Sequence, residues 1–134
     1  MNRFYVITNV EKDKNLETTR QICNYLRARG CECMVREFQK EKETGENGDY
    51  RYTDASLIPA GTECILVLGG DGTLIQAARD TVDRKIPLLG VNLGTLGFLA
   101  EIEKAGVPDA LDSLILDNYT IEPRMLLEGT VYRE

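Results

Sequence analysis

The sequence predicts an α/β domain, a Rossmann-like three-layer architecture with a mostly parallel sheet. Short apolar runs alternate along the chain with segments whose apolar residues recur at helical spacing. Most of these runs are continuously apolar, which is typical of strands covered by helices on both faces. The 134 residues are enough for one domain with a core of its own.

The amino-terminal part predicts a strand, a helix, a strand and a loop. The apolar run at 3–9 is rich in β-forming residues, and 31–38 alternates apolar with polar positions, so both predict strands. Between them, 16–29 predicts a helix with Gly30 as its stop signal. Residues 39–62 are polar and lack a period, which predicts a long surface loop. The helix at 16–29 is predicted from the helical spacing of five residues, Leu16, Thr19, Ile22, Cys23 and Leu26.

Residues 63–134 continue the alternation of predicted strands and helices. Residues 63–68 and 86–92 predict buried strands, and 105–118 predicts a helix with a proline suited to its first turn. Residues 73–84 predict the helix between the two strands, and 120–134 turn strand-like. The apolar face of the helix predicted at 73–84 consists of Leu74, Ile75, Ala78 and Val82.

Composition narrows the classes of function and location. The net charge of -6 argues against a nucleic-acid partner, which usually meets a basic surface. No apolar run approaches the roughly 18 residues of a membrane span, and no signal peptide is recognisable, so we expect a cytoplasmic protein without a membrane partner. Histidine is absent, so a general base must be a carboxylate or, less often, a lysine or tyrosine.

The four cysteines predict buried, reduced thiols. Cys23, Cys31, Cys33 and Cys64 form no CxxC pair, and small apolar side chains in a reducing compartment account for them. A metal site that includes Cys31 and Cys33 is the alternative.

A glycine-rich turn follows the strand at 63–68. Gly69, Gly70 and Gly72 surround Asp71, and such a turn before a helix lets backbone N–H groups approach a phosphate. A carboxylate repels phosphate, so we expect Asp71 to contact a hydroxyl or a metal ion. The alternative is a tight turn in which Asp71 caps the helix at Thr73. Neither standard nucleotide-binding fingerprint is present.

A second glycine-bearing loop, 92–99, follows the next strand. If the two strands are parallel neighbours, both loops face one crevice at the carboxyl ends of the strands, where ligands bind in such sheets. Phe98 in this loop is either a core aromatic residue or a ring that stacks on a ligand.

These two loops together resemble the NAD kinases, which use ATP or, in some members, polyphosphate. The stretch 69–73 reads GGDGT, and 90–99 reads GVNLGTLGFL. Lipid kinases of the diacylglycerol type share GGDGT but typically follow it with an Asn-Glu pair, where this chain has Leu74-Ile75-Gln76. The segment 119–131 also resembles the part of NAD kinases that leads into their second domain.

The resemblance implies a reaction and its participants. Phosphate passes from ATP, with Mg²⁺ or another divalent cation, to the 2′-hydroxyl of the adenosine ribose of NAD, and NADP is formed. Asp71 contacts that hydroxyl as general base, Gly72 lies against the nucleotide, and Ile75 and Phe98 line the adenine side. The residues expected to bind substrate are Gly69, Gly70, Asp71, Gly72, Thr73, Ile75, Asn92 and Phe98; no residue is predicted to bind a metal.

The resemblance also implies a division of the chain. Residues 1–120 form the α/β nucleotide-binding domain, the amino-terminal domain of an NAD kinase, and 121–134 begin a second, β-rich domain that the chain lacks. We therefore expect the chain alone to be inactive and the full-length protein to be a homo-oligomer. A lipid kinase domain and a non-catalytic nucleotide-binding domain are the alternatives.

Overall fold

The computed structural model describes residues 1–38, 55–93, 102–119, 124–127 and 130–133. The helices are α1 (Glu17–Ala28), α2 (Asp71–Asp80) and α3 (Val107–Ile115). The strands are β1 (Arg3–Asn9), β2 (Glu32–Phe38), β3 (Cys64–Gly69), β4 (Leu88–Asn92), β5 (Ile102–Glu103), β6 (Arg124–Leu127) and β7 (Thr130–Arg133).

Five strands form one parallel sheet, in the order β2-β1-β3-β4-β5. The chain passes from β1 to β2 on one side and then returns to place β3 on the other side of β1. The carboxyl ends of β1 and β3 therefore flank the point where the direction of winding reverses, which is where ligands bind in sheets of this kind. The predicted α/β class with a mostly parallel sheet is confirmed.

Helices cover both faces of the sheet, as the continuous apolar strands predict. On one face, Ile22 and Leu26 of α1 and Leu111 of α3 pack with Val6 and Leu66 of the sheet. On the other face, Ala77 of α2 packs in a second buried cluster, with Tyr5, Ile7, Ile58, Ile65 and Val67. The three predicted layers are thus present.

Helix α2 differs from its prediction at both ends. It begins at Asp71 rather than at residue 73, because helical geometry starts directly after Gly70. It ends at Asp80, so Val82 lies in a following 3-10 turn and is 59% exposed. Its buried residues are Thr73 and Ala77 rather than the predicted stripe, although Leu74 still packs against the second cluster.

Several predicted segments fall partly outside the described residues. Of the loop predicted at 39–62, the structure describes 55–62, with a 3-10 turn at Ala55–Leu57 and Ile58 buried in the core. The predicted strand-like end is a two-stranded antiparallel sheet of β6 and β7. The short strand β5 has no counterpart in the prediction. Over the described part of the chain, no helix is long and apolar enough to cross a membrane.

Candidate functional site

Asn9, Gly69 and Asn92 lie side by side at the carboxyl ends of the neighbouring strands β1, β3 and β4. Gly69 ends β3 and pairs with Asn92, the last residue of β4. On the other side, Thr8 pairs with Leu68, so Asn9 ends β1 beside Gly69. The amide of Leu93 donates to the carbonyl of Gly69 over 3.0 Å and continues the link beyond the sheet. The strands that lead into the two glycine loops are therefore parallel neighbours, as the idea of a shared crevice requires.

Gly69 is a glycine because the fold leaves no space for a side chain. A Cβ atom at this position would lie 2.6 Å from Oγ1 of Thr73 and 2.8 Å from its Cβ. The buried Thr73 side chain of α2 therefore rests directly on the backbone of β3.

Gly70 and Gly72 are open, in contrast to Gly69. A Cβ atom at either position would meet no atom of the described residues within 4 Å, and neither residue has a positive φ. Neither packing within the described part of the chain nor backbone strain therefore requires a glycine at these two positions. Their missing side chains leave bare backbone on both sides of Asp71, which suits the close approach of a ligand.

Asp71 is the first residue of α2, and its side chain is partly exposed. The N-cap of the helix is Gly70, which makes no side-chain capping bond. The helix therefore begins at Asp71 rather than at Thr73, and Gly70 rather than Asp71 occupies the N-cap position. The amino end of α2, with its partial positive charge, adjoins the open glycine turn.

The amino end of α1, unlike that of α2, is capped by a side chain of the protein. The buried carboxylate of Asp13 accepts bonds from the amides of Thr18 and Thr19, at 3.0 and 2.8 Å, and from the Thr19 hydroxyl at 2.6 Å. Burial acts to raise the pKa of Asp13, but the bonds from Thr19 and Thr18 outweigh it, and the pKa is lowered. The protein's own carboxylate thus occupies this helix end, which disfavours an anionic ligand there. Sequence reasoning missed Asp13; the Thr-Thr pair that follows it was the available signal.

Asn9 is a second residue that sequence reasoning missed. Its Nδ2 donates to Oγ1 of Thr73 over 3.3 Å, and its Oδ1 accepts from the amide of Glu11 at 3.0 Å. A polar residue at the carboxyl end of an apolar strand was the signal. The bond connects β1 with the first turn of α2, beside the glycine turn.

The other predicted site residues differ in burial, and one of them lies outside the described residues. Asn92 is buried beside Gly69, and Ile75 is partly exposed on α2 outside both buried clusters. Phe98 and the glycines of the second loop lie outside the described residues, so their predicted roles stay predictions.

The cysteines are free thiols, and all four are buried. Sγ of Cys23 and Sγ of Cys33 are 3.0 Å apart, and Cys31 begins the same strand region. Among the described residues, no group of three or more His, Cys, Asp or Glu side chains is placed to hold a metal ion.

The carboxylate in a glycine turn lies at the winding reversal of a parallel sheet, which is where doubly wound α/β domains bind their ligands. Residues 4–119 match the family model described as the ATP-NAD kinase N-terminal domain, and the chain belongs to this family. The match decides between the two kinase families that share the GGDGT turn.

Individual relatives agree with the family match. The chain is 45% identical to an NAD kinase of Lachnospira eligens over 133 residues and 47% identical to one of Lachnoclostridium phytofermentans over 134 residues. Alignments cover 99% and 100% of this chain but 44% and 45% of those proteins. The chain thus spans less than half the length of these relatives.

A solved structure shows the same fold. The crystal structure of yeast NADH kinase complexed with NADH superposes with a TM-score of 0.66 over 93% of this chain and 40% of that protein. The sequences are only 16% identical, so this likeness shows the fold alone.

Proposed function

We propose that this chain is the half of an NAD kinase that holds the reacting nucleotide. The proposed reaction moves the γ-phosphate of ATP, or a terminal phosphate of polyphosphate, to the 2′-hydroxyl of the adenosine ribose of NAD, giving NADP. The observation that carries the proposal is Asp71 at the first position of α2, between two glycines at which a side chain would meet none of the described residues. Family membership and the relatives named NAD kinase support it.

Asp71 is the proposed general base. The carboxylate accepts the proton of the 2′-hydroxyl, the freed oxygen attacks the γ-phosphorus, and ADP leaves with the electron pair of the broken bond. The chain has no histidine, so a carboxylate is the natural base. Catalysis of phosphoryl transfer is mainly positioning and charge stabilisation, and a turn packed on the sheet beside the amino end of a helix contributes to both.

Gly70 and Gly72 are proposed to admit the substrate. With no Cβ at either position, the nucleotide reaches the backbone on each side of Asp71, and the amino end of α2 stabilises negative charge there. Thr73 and Gly69 set the position of this turn, and Asn92 and Ile75 are placed around it, on β4 and α2.

A divalent cation is proposed to accompany ATP. Mg²⁺ usually keeps several waters and binds through one or two carboxylates together with substrate phosphates. In that arrangement the substrate phosphates supply much of the coordination of the cation. The cation would neutralise phosphate charge when it is bound.

The chain alone is proposed to be inactive, because its relatives are more than twice as long. A substrate held by half of its contacts loses most of the advantage of fixed geometry. The test compares NADP formation from ATP and NAD by this chain and by a full-length enzyme that continues it through the second domain. Turnover only by the longer protein is expected, and robust NADP synthesis by the short chain contradicts the proposal.

Asp71→Asn in the full-length enzyme tests the base. We expect kcat to fall at least roughly a hundredfold, which is the usual contribution of a general base. Asp83→Asn is the matched control, because Asp83 is an exposed carboxylate in the turn after α2. Near-normal turnover of Asp71→Asn would exclude the base assignment.

Location and assembly belong to the same proposal. Four free, buried cysteines are typical of a reducing compartment and support a cytoplasmic protein. The homo-oligomer expected for the full-length protein stays a prediction, which sedimentation of that protein tests.

A further inference from the structure

We propose that Asn9, at the end of β1, is a positioning residue for Asp71 and acts through Thr73. The inference rests on the proposed function, because it assigns a role to Asn9 in that reaction. Asn9 and Thr73 are 64 residues apart in sequence, and Nδ2 of Asn9 donates to Oγ1 of Thr73 over 3.3 Å. Their residues are only 9% and 5% exposed, so neither group has ready access to water as a substitute partner.

Thr73 is held from two sides. Its hydroxyl oxygen lies 2.6 Å from where a Cβ of Gly69 would be, so the side chain rests on the end of β3. The bond from Asn9 adds a contact from β1. Thr73 thereby fastens the first turn of α2 to the two central strands.

The position of Asp71 depends on the contacts of Thr73 with β1 and β3, because Asp71 is the first residue of the helix. No helical turn precedes it, and its neighbour Gly70 is a flexible residue. The carbonyl of Gly70 accepts from the amide of Leu74 at 3.1 Å, which closes the turn that contains Thr73. When that turn is fixed on the sheet, the backbone of Asp71 is fixed as well. A looser turn would displace the carboxylate from the hydroxyl it serves, and small displacements lower rates strongly.

Asn9 is itself held in one orientation. Its Oδ1 accepts from the amide of Glu11, which leaves its Nδ2 directed at Thr73. Its carbonyl accepts from the amides of Lys12 and Asp13, at 3.0 and 3.1 Å. The segment after β1 thus presents a fixed amide to α2.

The kinetic test uses the full-length enzyme with Thr73→Val, which keeps the side-chain shape and removes the hydroxyl. We expect kcat to fall roughly tenfold while KM for NAD changes less than about twofold. Thr73→Ser, which keeps the hydroxyl, should restore most of the lost kcat. Thr81→Val is the matched control: the Thr81 hydroxyl donates to the carbonyl of Ala77 over 2.8 Å at the other end of α2. This variant should lose thermal stability without losing kcat.

The pair is tested by a double-mutant cycle with Asn9→Ala. We expect Asn9→Ala and Thr73→Val to lower kcat by similar factors, and the double variant to be no worse than about twofold below either. Multiplied losses, or a Thr73→Val enzyme with normal kcat, overturn the inference, since the effect of Asn9 would then pass through another contact.

A second measurement needs no activity and uses this chain as it is. Exchange of the Leu74 amide, followed by NMR, reports opening of the first turn, and exchange of the core amide of Leu66 reports global unfolding. We expect Asn9→Ala and Thr73→Val to speed exchange at Leu74 roughly tenfold relative to Leu66, and Thr81→Val to leave the ratio unchanged. An unchanged ratio in Thr73→Val refutes the positioning role. A wild-type full-length enzyme without NADP synthesis, beside altered exchange, refutes the proposed function instead.

Discussion

Replacing Gly69 by alanine should destabilise the domain without touching any charge. The new Cβ would lie 2.6 Å from Oγ1 and 2.8 Å from Cβ of Thr73, and real Cβ atoms essentially never approach so closely. Thr73 cannot swing away freely, because it is buried and bonded to Asn9. Overpacking of this kind costs about 1 to 3 kcal/mol. For a domain of this size, that lowers Tm by about 4 to 12 °C.

The matched control is Gly72→Ala, because a Cβ at this position meets no atom of the structurally described part of the chain within 4 Å. Alanine is the better helix former by about 0.5 to 1 kcal/mol, so this variant should melt at or above the wild-type temperature. In the full-length enzyme, Gly72→Ala should nevertheless raise KM for nucleotide, since the methyl group fills the open side of the turn. Thermal and urea unfolding followed by circular dichroism measure both variants. A Gly69→Ala chain as stable as wild type refutes the packing argument.

Further predictions concern the thiols and the buried carboxylate. Oxidised glutathione should join Cys23 to Cys33 before it modifies Cys64, as shown by peptide mapping, because the two sulfurs are 3.0 Å apart. The hydrogen bond from Cys33 lowers the pKa of Cys23 below that of an ordinary thiol, so the reaction should accelerate as pH rises towards the ordinary thiol range; a flat profile contradicts this. Asp13, whose pKa lies below the ordinary 3.8, should stabilise the fold fully above that pH and lose its contribution as pH falls through the lower folded pKa. Urea unfolding of wild type and Asp13→Asn should therefore converge in acid, and a constant difference would contradict the assignment.

The sequence predicted the fold well where local patterns decide it. Continuous apolar runs identified β1, β3 and β4, and the spacing of Ile22, Cys23 and Leu26 identified the buried face of α1. Strand β5 was missed because two residues carry no recognisable period.

The sequence predicted the motif of the candidate site, but not the packing and hydrogen bonds that hold this motif in position. Asp71 and its glycines are adjacent in sequence, so the motif was visible without a structure. Pattern reasoning gave all the glycines of the turn a ligand-facing purpose, whereas Gly69 is needed for packing against Thr73 and only Gly70 and Gly72 are open. The polar Asn9 at the end of an apolar strand was visible in the sequence, but its pairing with Thr73 was not, because the two residues are 64 apart and a single sequence gives no sign of such a contact.

The position of β1 at the centre of the sheet has a consequence for the order of folding. β1 and β2 are joined by a 3-10 turn at Lys14–Leu16 and by α1, which is a short connection, whereas β1 meets β3 only after the chain has also passed through residues 39–63. Contacts between residues far apart in sequence form late, because the entropy of loop closure must be overcome first. The bond from Asn9 to Thr73 belongs to this late class. A partly folded chain with β1 and β2 already paired would therefore have native structure without the candidate site, and the proposed binding of nucleotide would begin only once the central strands have joined.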